Sequence, residues 1–358
     1  MTKCSLCKTK NATQKNSHII PWALIKDSLN QPGFKERDYD VTYAISTLDI
    51  PKSYFGRNVS PDHIEKLKGR VLTEDEIKKN KNPLSFDDIF CPNCEELISK
   101  LENEFVKEVY SKLHNPLNRN KNLDNKGNKT LTITNYKSKV TYLLAYSIFF
   151  RTSIINLNNH SLSLSIKEKI RVLLLNSLSI DYSVLIKNIN QLDDSNFPFP
   201  IILFYLENEN IADVGNNIIT QNKSNKPYFI WANKVIFQLF EKQKHINSSI
   251  EYFFGLSQML TLNDYRQQIS EGMKICFISN KSRIALVQNV IEYLAIENMK
   301  MGKLFLDEAC KKFFNRRATL QEKNIFGYHY SIIITEKNPK SINESFKMAF
   351  KLTFNIAD

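Results

Sequence analysis

The chain is 358 residues long, 42% hydrophobic and 24% charged, a composition that supports a packed core and excludes a fibrous or low-complexity protein. Lys and Arg outnumber Asp and Glu by 49 to 37, a formal net charge of +12, which favours a polyanionic partner because basic side chains gain affinity by displacing counterions from phosphates. The first residues are polar and carry cysteines where a secretory leader has a basic head and an apolar run, and no stretch reaches the ~18 uninterrupted apolar residues of a membrane helix. The expectation is a cytoplasmic protein with no membrane partner.

Taken in chain order, residues 1–16 are Lys- and Asn-rich and hold Cys4-Ser5-Leu6-Cys7. Ser17-His18-Ile19-Ile20-Pro21 follows, and Pro21 suits the first turn of a helix whose apolar face is Trp22, Leu24, Ile25 and Leu29. Residues 30–90 read as a long insertion, punctuated by Pro and Gly, with a strand at Tyr39–Ile45 and a helix at Pro61–Lys68. Its basic residues, among them Lys35, Arg37 and Arg57, are candidate nucleic-acid contacts; a solvated surface is the alternative. Cys91-Pro92-Asn93-Cys94-Glu95 opens a helix running to Leu113, because Leu97, Ile98, Leu101, Phe105, Val109 and Leu113 recur at spacings of three and four. Residues 115–129 are the expected linker.

Beyond the linker, helices are expected at Lys137–Asn156 and Ser165–Leu178, the latter capped by Ser165 with Glu168 three residues on. Buried strands are expected at 197–206, within Tyr228–Phe240 and at Met273–Ile278. Helices at Ser282–Met299 and Lys303–Asn315, a β-branched strand at Tyr328–Thr335 and an amphipathic segment at Ser341–Phe354 complete the reading. The fold class is α+β, with two domains, 1–115 and a helix-rich 116–358.

The chemistry gathers in the first hundred residues. A C-x-x-C turn points both thiolates at one ion, and two such turns supply the four ligands of a structural Zn²⁺ at ~2.3 Å each. The sulfurs of Cys4, Cys7, Cys91 and Cys94 are therefore the expected zinc ligands, although 83 residues (8–90) separate the pairs; loop closure costs grow only logarithmically with length. Two independent turns are the alternative. Four protein ligands leave no open position, so this ion is structural. His63, His114, His160, His245 and His329 show no metal spacing with one another.

A His before a proline, between two Cys pairs, with the second pair opening a helix, resembles the HNH (ββα-metal) endonucleases. In that family an acidic-His-Ile-x-Pro stretch supplies the general base, and the second pair leads into a helix carrying a metal ligand. The resemblance covers residues 1–105. It implies a zinc-stapled ββα-metal module, His18 as general base, and Glu95, Ser99 and Glu102 as candidate ligands of a catalytic Mg²⁺ or Mn²⁺. Ser17 stands where the family has an acidic residue or His, Glu95 where it has His or Asn, and the family's middle Asn has no clear counterpart. A looser resemblance joins this module and Tyr146-Ser147-Ile148-Phe149-Phe150-Arg151 to bacterial proteins of the same layout, and implies an antiphage-defence effector whose C-terminal domain takes a protein partner or oligomerises. The expected function is metal-dependent hydrolysis of phosphodiester bonds, of DNA rather than RNA. The alternative is a non-catalytic, zinc-framed adaptor for nucleic acid or protein.

Overall fold

The computed structural model describes residues 2–24, 41–46, 49–55, 71, 84–113, 122–123, 129–155, 162–207, 218–221, 227–248, 272–335 and 342–356. In chain order the elements are β1 (Ser17–His18), β2 (Val41–Ser46), β3 (Asp49–Phe55), β4 (Ser85–Phe86), α1 (Pro92–Phe105), β5 (Asn122–Leu123), β6 (Lys129–Ile133), α2 (Tyr136–Ile154), α3 (Leu164–Ser177), α4 (Tyr182–Gln191), β7 (Ile201–Leu206), β8 (Ile218–Gln221), β9 (Tyr228–Ala232), β10 (Val235–Leu239), α5 (Lys244–Ser248), β11 (Met273–Ile278), α6 (Asn280–Phe314), α7 (Leu320–Thr335) and α8 (Ile342–Phe354). The chain is mixed α+β and divides into two compact units, Met1–Lys35 with Lys81–Val287, and Glu36–Asn80 with Gln288–Asp358. The cysteine segments and α2 thus belong to one unit.

In that larger unit seven strands lie side by side in the order β8-β9-β10-β7-β11-β6-β5. Neighbours run antiparallel except β7 and β11, which pair in parallel from Ile275↔Leu203 to Ile278↔Leu206. β7, β9 and β10 are buried at every residue, which is why they read as near-continuous apolar runs rather than alternating ones, with Gln238 in β10 the one polar residue among them. The β9–β10 hairpin turns at Asn233, whose φ of 54° a short polar side chain tolerates.

Helix α2 is enclosed along nearly its whole length, from Ser138 to Ser153, and so shows no polar stripe. Three of its hydroxyls are returned to backbone carbonyls: Ser138 donates to Ile133 O (2.7 Å), Thr141 to Lys137 O (2.8 Å) and Thr152 to Ile148 O (3.1 Å). Tyr146 donates to Phe199 O at 2.6 Å and accepts from Phe199 N at 3.0 Å, fixing the proline turn before β7. One continuous core runs from Cys4, Leu6 and Phe90 through α1 to Leu144 and Phe149 of α2.

The helix expected from Cys94 to Leu113 is present as α1, a π-helical stretch Val106–Tyr110 and a last turn Ser111–Leu113. Three expectations are corrected. The two helices anticipated at 282–299 and 303–315 are one, α6. The cap of α3 is Ser163, whose hydroxyl accepts from Ile166 N, and not Ser165. The strand expected at Tyr328–Thr335 is helical: Phe326, Tyr330 and Ile333, at spacings of four and three, are buried in the core of the smaller unit against Phe346 and Phe350, while Tyr328 and Ile332 are exposed. In the insertion, β2 and β3 pair antiparallel from Val41↔Phe55. Lys35, Arg37, Arg57 and the helix expected at 61–68 lie outside the described residues. Among those described, no helix is long and apolar enough to cross a membrane.

Candidate functional site

The first Cys pair sits in a tight turn. Cys4 N donates to Lys10 O and Lys8 N to Cys4 O, both at 2.8 Å, and Lys8 takes a φ of 60° to close it. Backbone bonds join this turn to the second pair across the sequence gap: Ser5 N to Ile89 O (3.0 Å), and Thr13 N and Gln14 N both to Phe90 O (3.1 and 3.0 Å). Cys91 then caps α1 and Pro92 takes the first helical position, where its missing N–H costs nothing. Cys94 therefore lies in the first turn and faces back toward Cys4.

The sulfurs of Cys4, Cys7, Cys91 and Cys94 all lie within 4.8 Å of one another, with Cys7 and Cys91 4.0 Å apart. A tetrahedron with ~2.3 Å Zn–S bonds has edges of ~3.8 Å, so the four thiols are close enough to hold one metal ion such as zinc. None is in a disulfide. A hydrogen bond from Cys94 pulls the Cys4 thiol down to about 4, and the same contact, with burial, pushes the Cys94 thiol well above its usual range. Binding of a dication at such a cluster displaces the thiol protons, because the thiolate is the metal ligand. Among the described residues no second group of three or more His, Cys, Asp or Glu side chains gathers in this way.

Helix α3 holds the turn from behind. Arg171 donates to Leu6 O at 2.6 Å, and Glu168 pairs with both Arg171 and Lys8 at 2.7 Å. Arg171 first and Lys8 second hold the Glu168 carboxyl at about 2.

His18 lies on the short strand β1. β1 pairs antiparallel with β4, Ser17 opposite Phe86 and His18 opposite Ser85, and Ile19 N donates to Leu84 O at 2.9 Å. The connection into β1 is pinned by Lys15–Asp88 (2.6 Å) and by Asn16 N on Asp87 Oδ1 (2.9 Å). Ser17 is buried and His18 half-buried, its ring 5.4 Å from Trp22 in the helical turn that begins after Pro21.

Glu95, next to Cys94, meets a different environment. Burial pushes its carboxyl up, opposed by the Ser17 hydroxyl and the Arg151 guanidinium. Glu95 Oε2 and Ser17 Oγ are enclosed without an aligned hydrogen bond. Glu102, two turns along α1, lies 2.7 Å from Nη1 of Arg151, a close charge contact but off the hydrogen-bond axis. Ser99 is exposed. The structure therefore brings the four cysteines together and sets Ser17 beside Glu95. It commits Glu102 to a guanidinium.

Sequence reasoning missed Arg151 as part of this site. It comes from α2, is 2% exposed, and donates Nη1 to His18 O and Nε to Ser147 O. The available signal was a charge ending the apolar run 140–150, since a buried cation needs a partner. Also unforeseen is Glu104, buried in α1, which accepts from Tyr136 (2.8 Å) and Tyr182 (2.7 Å). Comparisons with protein-family models, with curated proteins and with solved structures give no match to this chain.

Proposed function

We propose that the chain is a zinc-stapled, metal-dependent endonuclease of the HNH type, acting on DNA, with His18 as general base. The observation that carries this reading is an order of elements. Two antiparallel strands, the first bearing His18, are followed by a helix whose first turn bears Glu95, and the four-thiol cluster joins the ends of that ββα unit. The net charge of +12 suits a polyanionic substrate.

In the hydrolysis, water attacks phosphorus, the bond to the leaving oxygen breaks, and an imidazole near neutral pKa takes the water's proton. His18 supplies that imidazole, and the β1–β4 pairing and the Trp22 contact orient it. A divalent ion, when bound, neutralises charge gathering on the phosphate. Mg²⁺ commonly takes one or two carboxylates and leaves its other positions to water and phosphate. Glu95 is the carboxylate left for it here, Glu102 being held by Arg151. Action in antiphage defence, through a partner of the C-terminal region, extends the same reading.

One observation favours a second reading, a zinc-framed adaptor that binds without cutting: the unspent oxygen of Glu95 is fully enclosed. The two readings separate on the zinc-loaded full chain incubated with plasmid DNA and Mg²⁺ or Mn²⁺, with chelator controls. The nuclease reading expects cutting by the wild type and none by His18→Ala at unchanged zinc content. Retained cutting by His18→Ala removes His18 from the role. Salt-sensitive binding with no cutting by either protein supports the adaptor.

A further inference from the structure

We propose that Arg151 is a positioning residue for His18, so that the site is completed by helix α2 and not by the cysteine-framed segments alone. The inference rests on the reading of His18 as the reactive imidazole. Arg151 follows Ile148, Phe149 and Phe150, all 0–1% exposed, and is itself 2% exposed. Its guanidinium leaves this apolar wall at one place. There Nη1 donates to the carbonyl of His18, 133 residues earlier, and lies 2.7 Å from Glu102 Oε1.

β1 has only two paired residues, so contacts from other elements add to what its pairing with β4 holds in place. A donor on the His18 carbonyl fixes that residue's peptide plane, and with it the direction in which the imidazole leaves the backbone. Glu102 in turn fixes the guanidinium from α1, the helix that carries Glu95. The second nitrogen, Nη2, is enclosed without an aligned hydrogen bond, as are Glu95 Oε2 and Ser17 Oγ. A side chain needed only to fill the core would have no reason to bring a cation here.

The test uses the full chain carrying Arg151→Lys. Lysine places its ammonium near the position of the arginine Cζ, one C–N bond (~1.3 Å) short of Nη1, and keeps a cation for Glu102. The readouts are zinc content, unfolding midpoint, kcat and KM for plasmid cleavage, and the pH titration of Trp22 fluorescence. An imidazolium at the His18–Trp22 distance quenches the indole, and the other tryptophan, Trp231, is fully buried. His18→Phe identifies the part of that titration due to His18.

We expect zinc content and unfolding midpoint to hold, kcat to fall by about 100-fold with KM little changed, as a displacement of about 1 Å does, and the His18-dependent part of the titration to change. Wild-type cleavage and an unchanged titration overturn the proposal. Loss of zinc or of the folded state in step with activity also overturns it, because the role is then structural. If the wild type does not cut, the nuclease reading fails by itself. The Trp22 titration then decides alone: a difference between Arg151→Lys and wild type supports positioning, and identity counts against it.

Discussion

Two consecutive residues in the first turn of α1 meet opposite surroundings. Cys94 turns into a cluster of three other thiols, where donors converge on one point and a dication satisfies all of them. Glu95 turns toward Ser17, Glu102 and Arg151, where charges of both signs are enclosed and several polar atoms lack an aligned partner. The thiol frame is finished chemistry with one stable outcome. The polar cluster holds unspent hydrogen-bonding capacity, which costs stability unless a ligand or a working state uses it. The contrast separates what staples the module from what acts in it.

The largest expected effect tests the frame. Cys94→Ser removes one of four thiolates; structural zinc contributes about 10–16 kcal/mol in small zinc modules. The variant should lose its zinc by elemental analysis and lose most of its folded signal from residues 1–113. A full zinc complement in the variant means that four thiolates do not hold the ion.

Next is the ion pair in the polar cluster. Glu102→Ala leaves a buried guanidinium without its carboxylate, and should lower the unfolding free energy in urea by about 3–5 kcal/mol. Arg151→Met combined with Glu102→Leu should recover most of that loss, because the uncompensated charge is gone. If the double variant is no better than the single, the pair is not what the site depends on.

The smallest effect is at the back of the frame. Glu168, on α3, is held at about 2, against its ordinary 4.5, by Arg171 and Lys8. Because its folded pKa is depressed, its contribution is full above 4.5 and disappears as the pH falls toward 2. Thermal unfolding of Glu168→Gln should therefore differ slightly from wild type at neutral pH and converge with it in acid. The neutral-pH difference should shrink with salt, since the pair is exposed. A difference that widens in acid contradicts the assignment.

The same contrast explains what could be read from the chain. C-x-x-C spacing is a local code, so Cys4, Cys7, Cys91 and Cys94 were legible, as was the helix from 92 to 113 through its three-and-four period. Tyr328–Thr335 misled because Ile332, Ile333, Ile334 and Thr335 carry β-branched propensity, whereas the buried set Phe326, Tyr330 and Ile333 follows the helical period and packing decides. Ser163 and Ser165 both precede an apolar run, and only local geometry selects the cap. Arg151 on the His18 carbonyl and Glu168 on Lys8 join residues 133 and 160 apart. Such contacts have no local signature, and both support the candidate site from helices outside residues 1–115.

The central claim is that the four cysteines form one all-sulfur site that does not include His18. X-ray absorption at the zinc edge on the full chain, with metal content measured alongside, reads this directly. The predicted result is one zinc per chain with a shell of four sulfurs at about 2.3 Å. A shell of mixed sulfur and imidazole nitrogen, which would make His18 a candidate ligand rather than a base, or purified chain that binds no zinc at all, would contradict it.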